Sequence, residues 1–201
     1  MNRCVVTGGS GAISQAISEL LNKNGYVCLN PSRTELDVTK EKNVKKYFEK
    51  NKIDILVNCA GSIKTSSVKN SNPTDWISDI SVNLIGTYLC SFYALKNECS
   101  IIVNIGSSAG FKGKANWSGY CAAKAGVANF TQSLAEEGIK AWTVSPGRTQ
   151  SKMRSGLFPN EDQETLLSPF EVAQVVLDVI CEKYPIGANI SIKKDSGVQI
   201  K

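Results

Sequence analysis

The sequence contains no histidine, and this absence excludes several kinds of catalytic site. Histidine general bases, histidine-containing triads and most catalytic zinc sites require an imidazole ring, so we expect no metal site. No apolar run approaches the roughly 18 residues that a membrane-spanning helix needs. The N-terminal residues also lack the hydrophobic region of a signal peptide and instead indicate a first strand. We therefore expect no membrane partner.

The seven cysteines include no CxxC pair, and their number is odd. Most of them stand in apolar runs. This placement is typical of free, buried thiols in a reducing compartment rather than of a disulfide framework or a zinc site. Together with the missing signal peptide, it predicts a cytoplasmic protein.

Charge is only mildly unbalanced, with 23 basic against 18 acidic residues and a net charge of +5. This excess is compatible with an anionic small-molecule ligand. The lysines between residues 40 and 52 are interrupted by acidic residues and by the apolar Val44, Tyr47 and Phe48, a pattern that indicates the solvated face of an amphipathic helix. Because no nucleic-acid-binding motif is present, we expect no nucleic-acid partner.

Short apolar segments alternate with helical patterns along the 201 residues, a length that suits one domain. The apolar segments are rich in valine and isoleucine, which predicts strands buried on both faces, as in a parallel sheet. The predicted strands are 3–7, 26–30, 35–38, 53–58, 100–105, 139–144 and 188–192, and the predicted helices are 12–24, 41–51, 73–97, 117–137 and 168–183. This alternation predicts a single α/β domain over residues 1–201, a Rossmann-type doubly wound parallel sheet in three α/β/α layers.

A glycine-rich turn separates the first predicted strand from the first predicted helix. Backbone N–H groups of such a turn, helped by the helix dipole, can bind a pyrophosphate at the carboxyl edge of the sheet. A simple tight turn is the alternative interpretation. The residues of this turn that we assign to cofactor binding are Gly8, Ser10, Gly11, Ala12 and Ile13.

The end of the second strand bears on the choice of cofactor. No acidic residue stands there to hold a ribose 2′-hydroxyl, whereas Ser32 and Arg33 can take a 2′-phosphate through charge-assisted hydrogen bonds. An exposed turn arginine is the alternative. We predict NADP(H), with NAD(H) as the second choice. Asp37 and Val38 follow, and they either flank the adenine or cap the next helix.

Tyr120 and Lys124 are four residues apart, so they share one face of a predicted helix. A free tyrosine has a pKa near ~10, and a nearby ammonium lowers that pKa by stabilising the phenolate. The pair can thus transfer a proton, although the same spacing also occurs on the surface of many helices.

Two further polar residues stand where a predicted site would need them. Ser107 follows the strand at 100–105, where it can hydrogen-bond a substrate carbonyl or simply form a serine-rich turn with Ser108. Asn83 lies among apolar neighbours in the long helix and needs a buried partner, so a structural hydrogen bond is its alternative role.

Together these features resemble the short-chain dehydrogenase/reductase family over nearly the whole chain. The glycine-rich turn, an NxAG-like segment at 58–61, Asn83, Ser107, a YxxxK pair and a Pro-Gly turn occur in the family's order. The cofactor-binding residues that the resemblance adds are Asn58, Ala60, Gly61, Tyr120, Lys124, Pro146, Gly147 and Thr149.

The resemblance implies a role for each catalytic residue. Tyr120 would act as general acid in reduction or base in oxidation, and Lys124 would bind the nicotinamide ribose and depress the tyrosine pKa. Ser107 would orient the carbonyl, Asn83 would hold a proton-relay water, and Thr149 would meet the nicotinamide carboxamide. The resemblance also implies a homodimer or homotetramer, assembled through the helices that hold Asn83 and Tyr120.

The sequence departs from the family's TGxxxGxG pattern, since Ala12 and Ser14 replace its last two glycines. The TGxxG pattern of the extended sugar-nucleotide epimerase branch fits Thr7, Gly8 and Gly11 instead. That branch carries a long C-terminal substrate domain, for which 201 residues leave no room. We therefore favour the short reductase type.

Residues 148–167 are expected to form a short substrate lid. Its cations Arg148, Lys152 and Arg154 favour a compact anionic or sugar-type substrate, although lid cations are often merely exposed. We predict an NADP(H)-dependent enzyme that reduces a carbonyl or oxidises an alcohol of a small molecule. The alternatives are an epimerase or dehydratase that retains its NAD(P), and a non-catalytic module that binds a nicotinamide nucleotide.

Overall fold

One seven-stranded sheet organises the computed structural model, which describes residues 2–201. Its parallel strands are β1 (Arg3–Val6), β2 (Val27–Leu29), β3 (Ile55–Asn58), β4 (Ile101–Ile105), β5 (Lys140–Pro146) and β6 (Asn189–Lys193). β7 (Gly197–Ile200) pairs antiparallel with β6 at one edge. The strand order is β2-β1-β3-β4-β5-β6-β7, which confirms the predicted Rossmann-type sheet. From β1 the chain first adds β2 on one side and then β3 on the other, and such sheets bind ligands at this switch point between β1 and β3.

Helices cover both faces of the sheet and complete the predicted three layers. They are α1 (Ala12–Lys23), α2 (Glu41–Lys50), α3 (Pro73–Ile80), α4 (Gly86–Lys96), α5 (Ser118–Glu136), α6 (Lys152–Leu157) and α7 (Pro169–Ile180). Strand alternation sends Val6 into one core, with Ile17 of α1 and Val176 of α7, and Val5 into the other core, with Val44 of α2. None of the helices within residues 2–201 combines the length and apolar character that a membrane span requires.

Two helix starts follow directly from the sequence. The Asn72 side chain accepts a hydrogen bond from the Thr74 N–H at 2.9 Å, just before Pro73 at the first position of α3. Ser168 and Glu171 form a reciprocal capping box: the Glu171 N–H donates to Ser168 Oγ at 3.2 Å, and the Ser168 N–H donates to the Glu171 carboxylate at 2.8 Å. α7 therefore begins at the capping box.

The brief strand predicted at 35–38 is wrong. Local side-chain hydrogen bonds hold this segment in turns, because the Asp37 carboxylate accepts from the N–H and the hydroxyl of Thr39 at 3.1 and 2.6 Å. Leu36 and Val38 are nevertheless buried, with 3% and 6% of their surface exposed. The apolar residues at 35–38 thus indicate burial in the core, and β2 remains at the edge of the sheet.

β7 was not predicted. All of its residues are exposed, so it carries no apolar signal of a buried strand. It forms by hydrogen bonding to β6, with Val198 opposite Ile192 and Ile200 opposite Ile190. An edge strand of this kind depends on a neighbouring strand rather than on its own sequence.

The helix predicted at 73–97 is interrupted in the middle. A π-helical turn, Ser81–Ile85, joins α3 to α4 and contains Asn83. π-turns inside α-helices are rare and occur frequently at functional sites. The predicted extent of this helix is therefore right, but its internal geometry could not be predicted from periodicity.

Candidate active site

A cleft of about 460 Å³ opens beyond the carboxyl ends of β1, β3, β4 and β5. It brings together all but two of the predicted site residues. Those that line it are Gly8, Ser10, Gly11, Ala12, Ile13, Arg33, Asp37, Val38, Ala60, Gly61, Asn83, Ser107, Tyr120, Lys124, Pro146, Gly147 and Thr149. The two predicted residues that do not line it are Ser32 and Asn58.

The first glycines of the turn after β1 are required by close backbone packing. Gly8 has a φ of +78°, and a Cβ there would lie 2.8 Å from the Ala60 Cα. A Cβ on Gly9 would lie 2.2 Å from the Asn30 carbonyl oxygen, which no side chain can tolerate. These residues therefore hold β1 close to the segments that follow β2 and β3.

Ser14 occupies the position of the family's last glycine and is fully buried. Its hydroxyl lies 2.6 Å from the Gly8 carbonyl oxygen and 2.8 Å from that of Gly11, within donating distance of both. The serine thus ties the two carbonyl groups of the turn to the first turn of α1. The departure from the glycine pattern gives this turn an internal brace.

The turn and α1 fit the pyrophosphate of a dinucleotide. α1 begins without a side-chain cap on Gly11 and without an acidic residue in its first turn. Ala12 and Ile13, the first two residues of α1, line the cleft. The first N–H groups of a helix have no acceptor within the helix, and the dipole adds positive potential there. Ala12 and Ser14 are thus compatible with a phosphate site.

The residues after β2 show which groups can reach an adenosine ribose. Arg33 lines the cleft with 81% of its side chain exposed, and its guanidinium lies 3.8 Å from the Asp37 carboxylate. Ser32 is engaged elsewhere, because its N–H and hydroxyl donate to the Glu35 carboxylate at 2.8 and 2.7 Å. These bonds lower the pKa of Glu35. Arg33 is therefore the available cation, and Ser32 would have to leave Glu35 first.

Asp37 is both a turn residue and part of the cleft wall. Partial burial raises the pKa of its carboxyl, but the hydrogen bonds from Thr39 and the charges of Arg33 and Lys40 outweigh this effect and lower the pKa. Asp37 is therefore ionised at neutral pH. Its carboxylate caps the turn before α2, and its neighbour Val38 presents an apolar surface to the cleft.

α5 and the end of β4 position the predicted proton-transfer group. Lys124 is buried, and its ammonium donates to the Ile105 carbonyl oxygen at 2.7 Å. Burial lowers the pKa of Lys124 to about 8. Its Nζ lies 5.7 Å from the centre of the Tyr120 ring. Both residues face the cleft beside Ser107, whose hydroxyl accepts a hydrogen bond from the Ala109 N–H at 3.1 Å.

The Tyr120 hydroxyl is held in its protonated form. Burial raises the pKa of Tyr120, and a hydrogen bond with Ser107 offsets part of the rise. The net effect is opposite to the lowering that the sequence predicted, because burial dominates. Tyr120 therefore carries its proton at neutral pH.

Asn83 has its entire side chain satisfied by backbone groups. Its amide N–H groups donate to the carbonyl oxygens of Ser62 and Asp79, both at 2.8 Å, and its side-chain oxygen accepts from the Ser62 N–H at 3.3 Å. Thr87 donates to its main-chain carbonyl at 2.9 Å. The Asn83 side chain fixes the chain after β3, and its side-chain oxygen keeps a second lone pair for another donor.

Asn58 lies in the core rather than in the cleft. Its amide nitrogen is 3.0 Å from Ser91 Oγ and 2.9 Å from the Asn104 side-chain oxygen, and Asn104 in turn donates to Thr131 at 2.9 Å. This buried network ties β3 and β4 to α4 and α5. Asn58 therefore supports the site from behind and does not line it.

A salt bridge closes the segment predicted as a lid. Arg154 makes two contacts of 2.6 Å with the Glu161 carboxylate, and Arg148 adds one of 3.3 Å. Thr149 pairs with Leu167 through a parallel bridge, so the two ends of this segment meet. The expected free cation at Arg154 is therefore absent, since its guanidinium is neutralised by Glu161.

Lys114 and Trp117 line the cleft and were not predicted. Trp117 packs edge-on against Tyr120, with 5.9 Å between ring centres, and Lys114 Nζ lies 4.8 Å from the centre of the Trp117 ring. The only signal in the sequence is an aromatic residue three positions before Tyr120, on the same helix face.

The fold and the cleft define a dinucleotide-binding α/β protein with a tyrosine, a lysine and a serine converging at one end. A family model described as short chain dehydrogenase matches residues 30–162. Carbonyl reductase family member 4 of Danio rerio is 34% identical, over 98% of this chain and 97% of that protein. The 3-oxoacyl-[acyl-carrier-protein] reductase of Mus musculus is 29% identical, over 98% of each protein.

A solved structure, ElxO with NADP bound, has a TM-score of 0.83 and 26% identity, and the match covers 95% of this chain and 97% of that one. The chain belongs to the short-chain dehydrogenase/reductase family. The oxidoreductases of this family bind a nicotinamide cofactor and act on carbonyl or alcohol groups.

Proposed function

We propose that this protein is an NADP(H)-dependent reductase of a small carbonyl compound. The observation that carries the proposal is the convergence of Tyr120, Lys124 and Ser107 at one end of a cleft whose other end fits a dinucleotide. The similarity to carbonyl reductase and 3-oxoacyl-[acyl-carrier-protein] reductase supports the same reaction type.

Each residue of the site has one role in the proposed carbonyl reduction. Bound NADPH supplies the hydride. Tyr120 donates a proton to the carbonyl oxygen, and Ser107 holds that oxygen by a hydrogen bond. The raised pKa of Tyr120 keeps its hydroxyl protonated at neutral pH, the form that a proton donor needs at the start of a reduction. Lys124 would hold the nicotinamide ribose, and Thr149 would hold the carboxamide.

Arg33 supports NADP(H) over NAD(H). Its guanidinium is 81% exposed and lies 3.8 Å from the Asp37 carboxylate, in the cleft wall after β2, and an arginine suits a 2′-phosphate. ElxO, a neighbour in structure, binds NADP. The Glu35 carboxylate nearby opposes a second negative charge, so we assign the preference to Arg33 alone and not to Ser32.

An exposed apolar surface supports a homodimer or homotetramer. Ile77, Ile85 and Tyr88 on α3, the π-turn and α4 are 57%, 46% and 48% exposed. Tyr88 packs against Phe130 of α5, with 6.1 Å between ring centres. We propose that these helices form the interface. The seven free thiols suit a reducing compartment, in agreement with a cytoplasmic enzyme.

Ethyl acetoacetate, a small ketone, tests the proposal in an NADPH oxidation assay. We expect turnover in the natural protein and a loss in kcat/KM of at least about 100-fold in Tyr120→Phe, with the NADPH Kd changed by no more than about twofold. Cofactor binding without any turnover would point to the nucleotide-binding module. Cofactor that stays bound, with isomerised product and no net oxidation, would point to the epimerase.

A further inference from the structure

The lid arginines are structural rather than available for a ligand. The Arg154 guanidinium makes its two contacts of 2.6 Å with Glu161 and also lies 3.9 Å from the centre of the Phe158 ring. Arg154 and Glu161 side chains are only 14% and 15% exposed. Arg148 contacts the same carboxylate. One carboxylate thus holds both arginines and fixes the shape of the lid.

Lys114 differs from these arginines because it has no carboxylate partner. Within residues 2–201, no acidic side chain comes within ion-pair distance of its ammonium, which instead lies over the Trp117 ring. Partial burial lowers the pKa of Lys114, the charges of Arg154 and Arg148 lower it further, and those of Cys121 and Glu161 partly offset this. A lysine in the wall of a cleft, without an ion pair among residues 2–201, is a position that an anion would stabilise.

Trp117 connects Lys114 to the reacting end of the cleft. Its ring contacts the Lys114 ammonium at 4.8 Å and the Tyr120 ring at 5.9 Å, so the ammonium and the tyrosine ring cannot be further apart than the sum of these distances. Phe158 of the lid lies 6.2 Å from Trp117 on another side. Lys114 and Tyr120 therefore lie along one aromatic wall of the same cleft.

We propose that Lys114 is the specificity-determining cation of the substrate site and binds a carboxylate or phosphate group of the substrate whose carbonyl faces Tyr120. This inference rests on the proposed carbonyl reduction. Lys152 also lines the cleft and has no ion pair among residues 2–201, but its ammonium does not lie over an aromatic ring as that of Lys114 does. Arg154 then acts as a positioning residue that keeps Phe158 against Trp117.

Pairs of substrates that differ in charge test the inference. Acetoacetate and ethyl acetoacetate share the reacting ketone, and dihydroxyacetone phosphate and dihydroxyacetone form the corresponding pair for phosphate. The quantity to measure is the ratio of kcat/KM for the anionic over the neutral member. In Lys114→Gln we expect the ratio for one pair to fall at least about tenfold, because a charge-assisted hydrogen bond is lost. Lys114→Arg should restore most of it.

Two matched variants complete the experiment. Lys112 is exposed on the same loop and lies outside the cleft, so Lys112→Gln should leave both ratios unchanged. Lys152→Gln tests the other lysine of the cleft. The pair whose ratio falls in Lys114→Gln identifies the anion as carboxylate or phosphate.

Three results would overturn the inference. Unchanged ratios in Lys114→Gln, or a fall in Lys152→Gln instead, would refute it while leaving the proposed function intact, since the neutral substrates would still be reduced. Reduction of none of the four compounds, with NADPH bound, would refute the proposed function together with the inference.

Discussion

The two ends of the cleft are built by different means. At the cofactor end, backbone atoms form the surface: glycines at 8 and 9 pack within contact of neighbouring loops, and the start of α1 presents its N–H groups. At the substrate end, side chains from separate segments form the surface, as in the pair Arg154–Glu161 and the stack of Lys114 on Trp117. A backbone surface tolerates few substitutions, whereas a side-chain surface can change its specificity without changing the fold.

The largest effect expected from this difference concerns two glycines. Gly9→Ala places a Cβ 2.2 Å from the Asn30 carbonyl oxygen, so we expect the free energy of unfolding to fall by about 3 kcal/mol. Gly113, near Lys114 at the substrate end, has no atom within 4 Å of such a Cβ. Gly113→Ala should change stability by no more than about 0.5 kcal/mol. Chemical denaturation measures both, and equal losses would contradict the comparison.

Lys124 lies between the two ends and makes stability depend on pH. Its pKa is lowered to about 8 by burial, while the unfolded chain keeps the ordinary value of 10.5. Between these two pH values the unfolded state binds the extra proton, so stability rises with pH across this window. We expect the natural protein to gain roughly 1–3 kcal/mol relative to Lys124→Met from pH 8 to 10.5. If the stability of the two proteins changed with pH in the same way, burial would not lower the pKa of Lys124, and the prediction would be contradicted.

The smallest effect concerns the brace inside the cofactor turn. Ser14→Ala removes the hydroxyl that bonds the Gly8 and Gly11 carbonyls, so we expect a loss of about 1 kcal/mol in stability and a severalfold weaker NADPH affinity. Ser18, one helical turn further on, has a buried hydroxyl without a partner among residues 2–201. Ser18→Ala should therefore be neutral or stabilising. Thermal melts with and without NADPH measure both variants. Equal changes in Ser14→Ala and Ser18→Ala would contradict a stabilising role of the Ser14 hydroxyl.

The cofactor end could be predicted from the sequence because local residues build it. Valine-rich strands, the glycine-rich turn and the capping box at Ser168 each act within a few neighbours along the chain. The strand predicted at 35–38 is wrong because the Asp37 carboxylate accepts a hydrogen bond from Thr39 and stabilises a turn. The apolar residues of this segment fit a buried turn as well as a strand, so they could not distinguish the two.

The substrate end could not be predicted to the same depth. That Glu161 neutralises Arg154 depends on residues brought together only by folding. The same holds for Asn58, predicted to bind the cofactor but bonded to Asn104 in the core. Lys114 has no ion pair among residues 2–201, and a sequence does not show which of its lysines folding leaves without a partner.

Titration of the purified protein with NADPH and with NADH, followed by nicotinamide fluorescence, tests whether the cleft binds NADP(H). We expect tighter binding of NADPH, weakened at least about tenfold by Arg33→Ala, with NADH binding little changed, because only the 2′-phosphate uses that guanidinium. Binding of neither nucleotide would contradict the assignment of the cleft as a cofactor site. Tighter binding of NADH, unaffected by Arg33→Ala, would contradict the choice of cofactor.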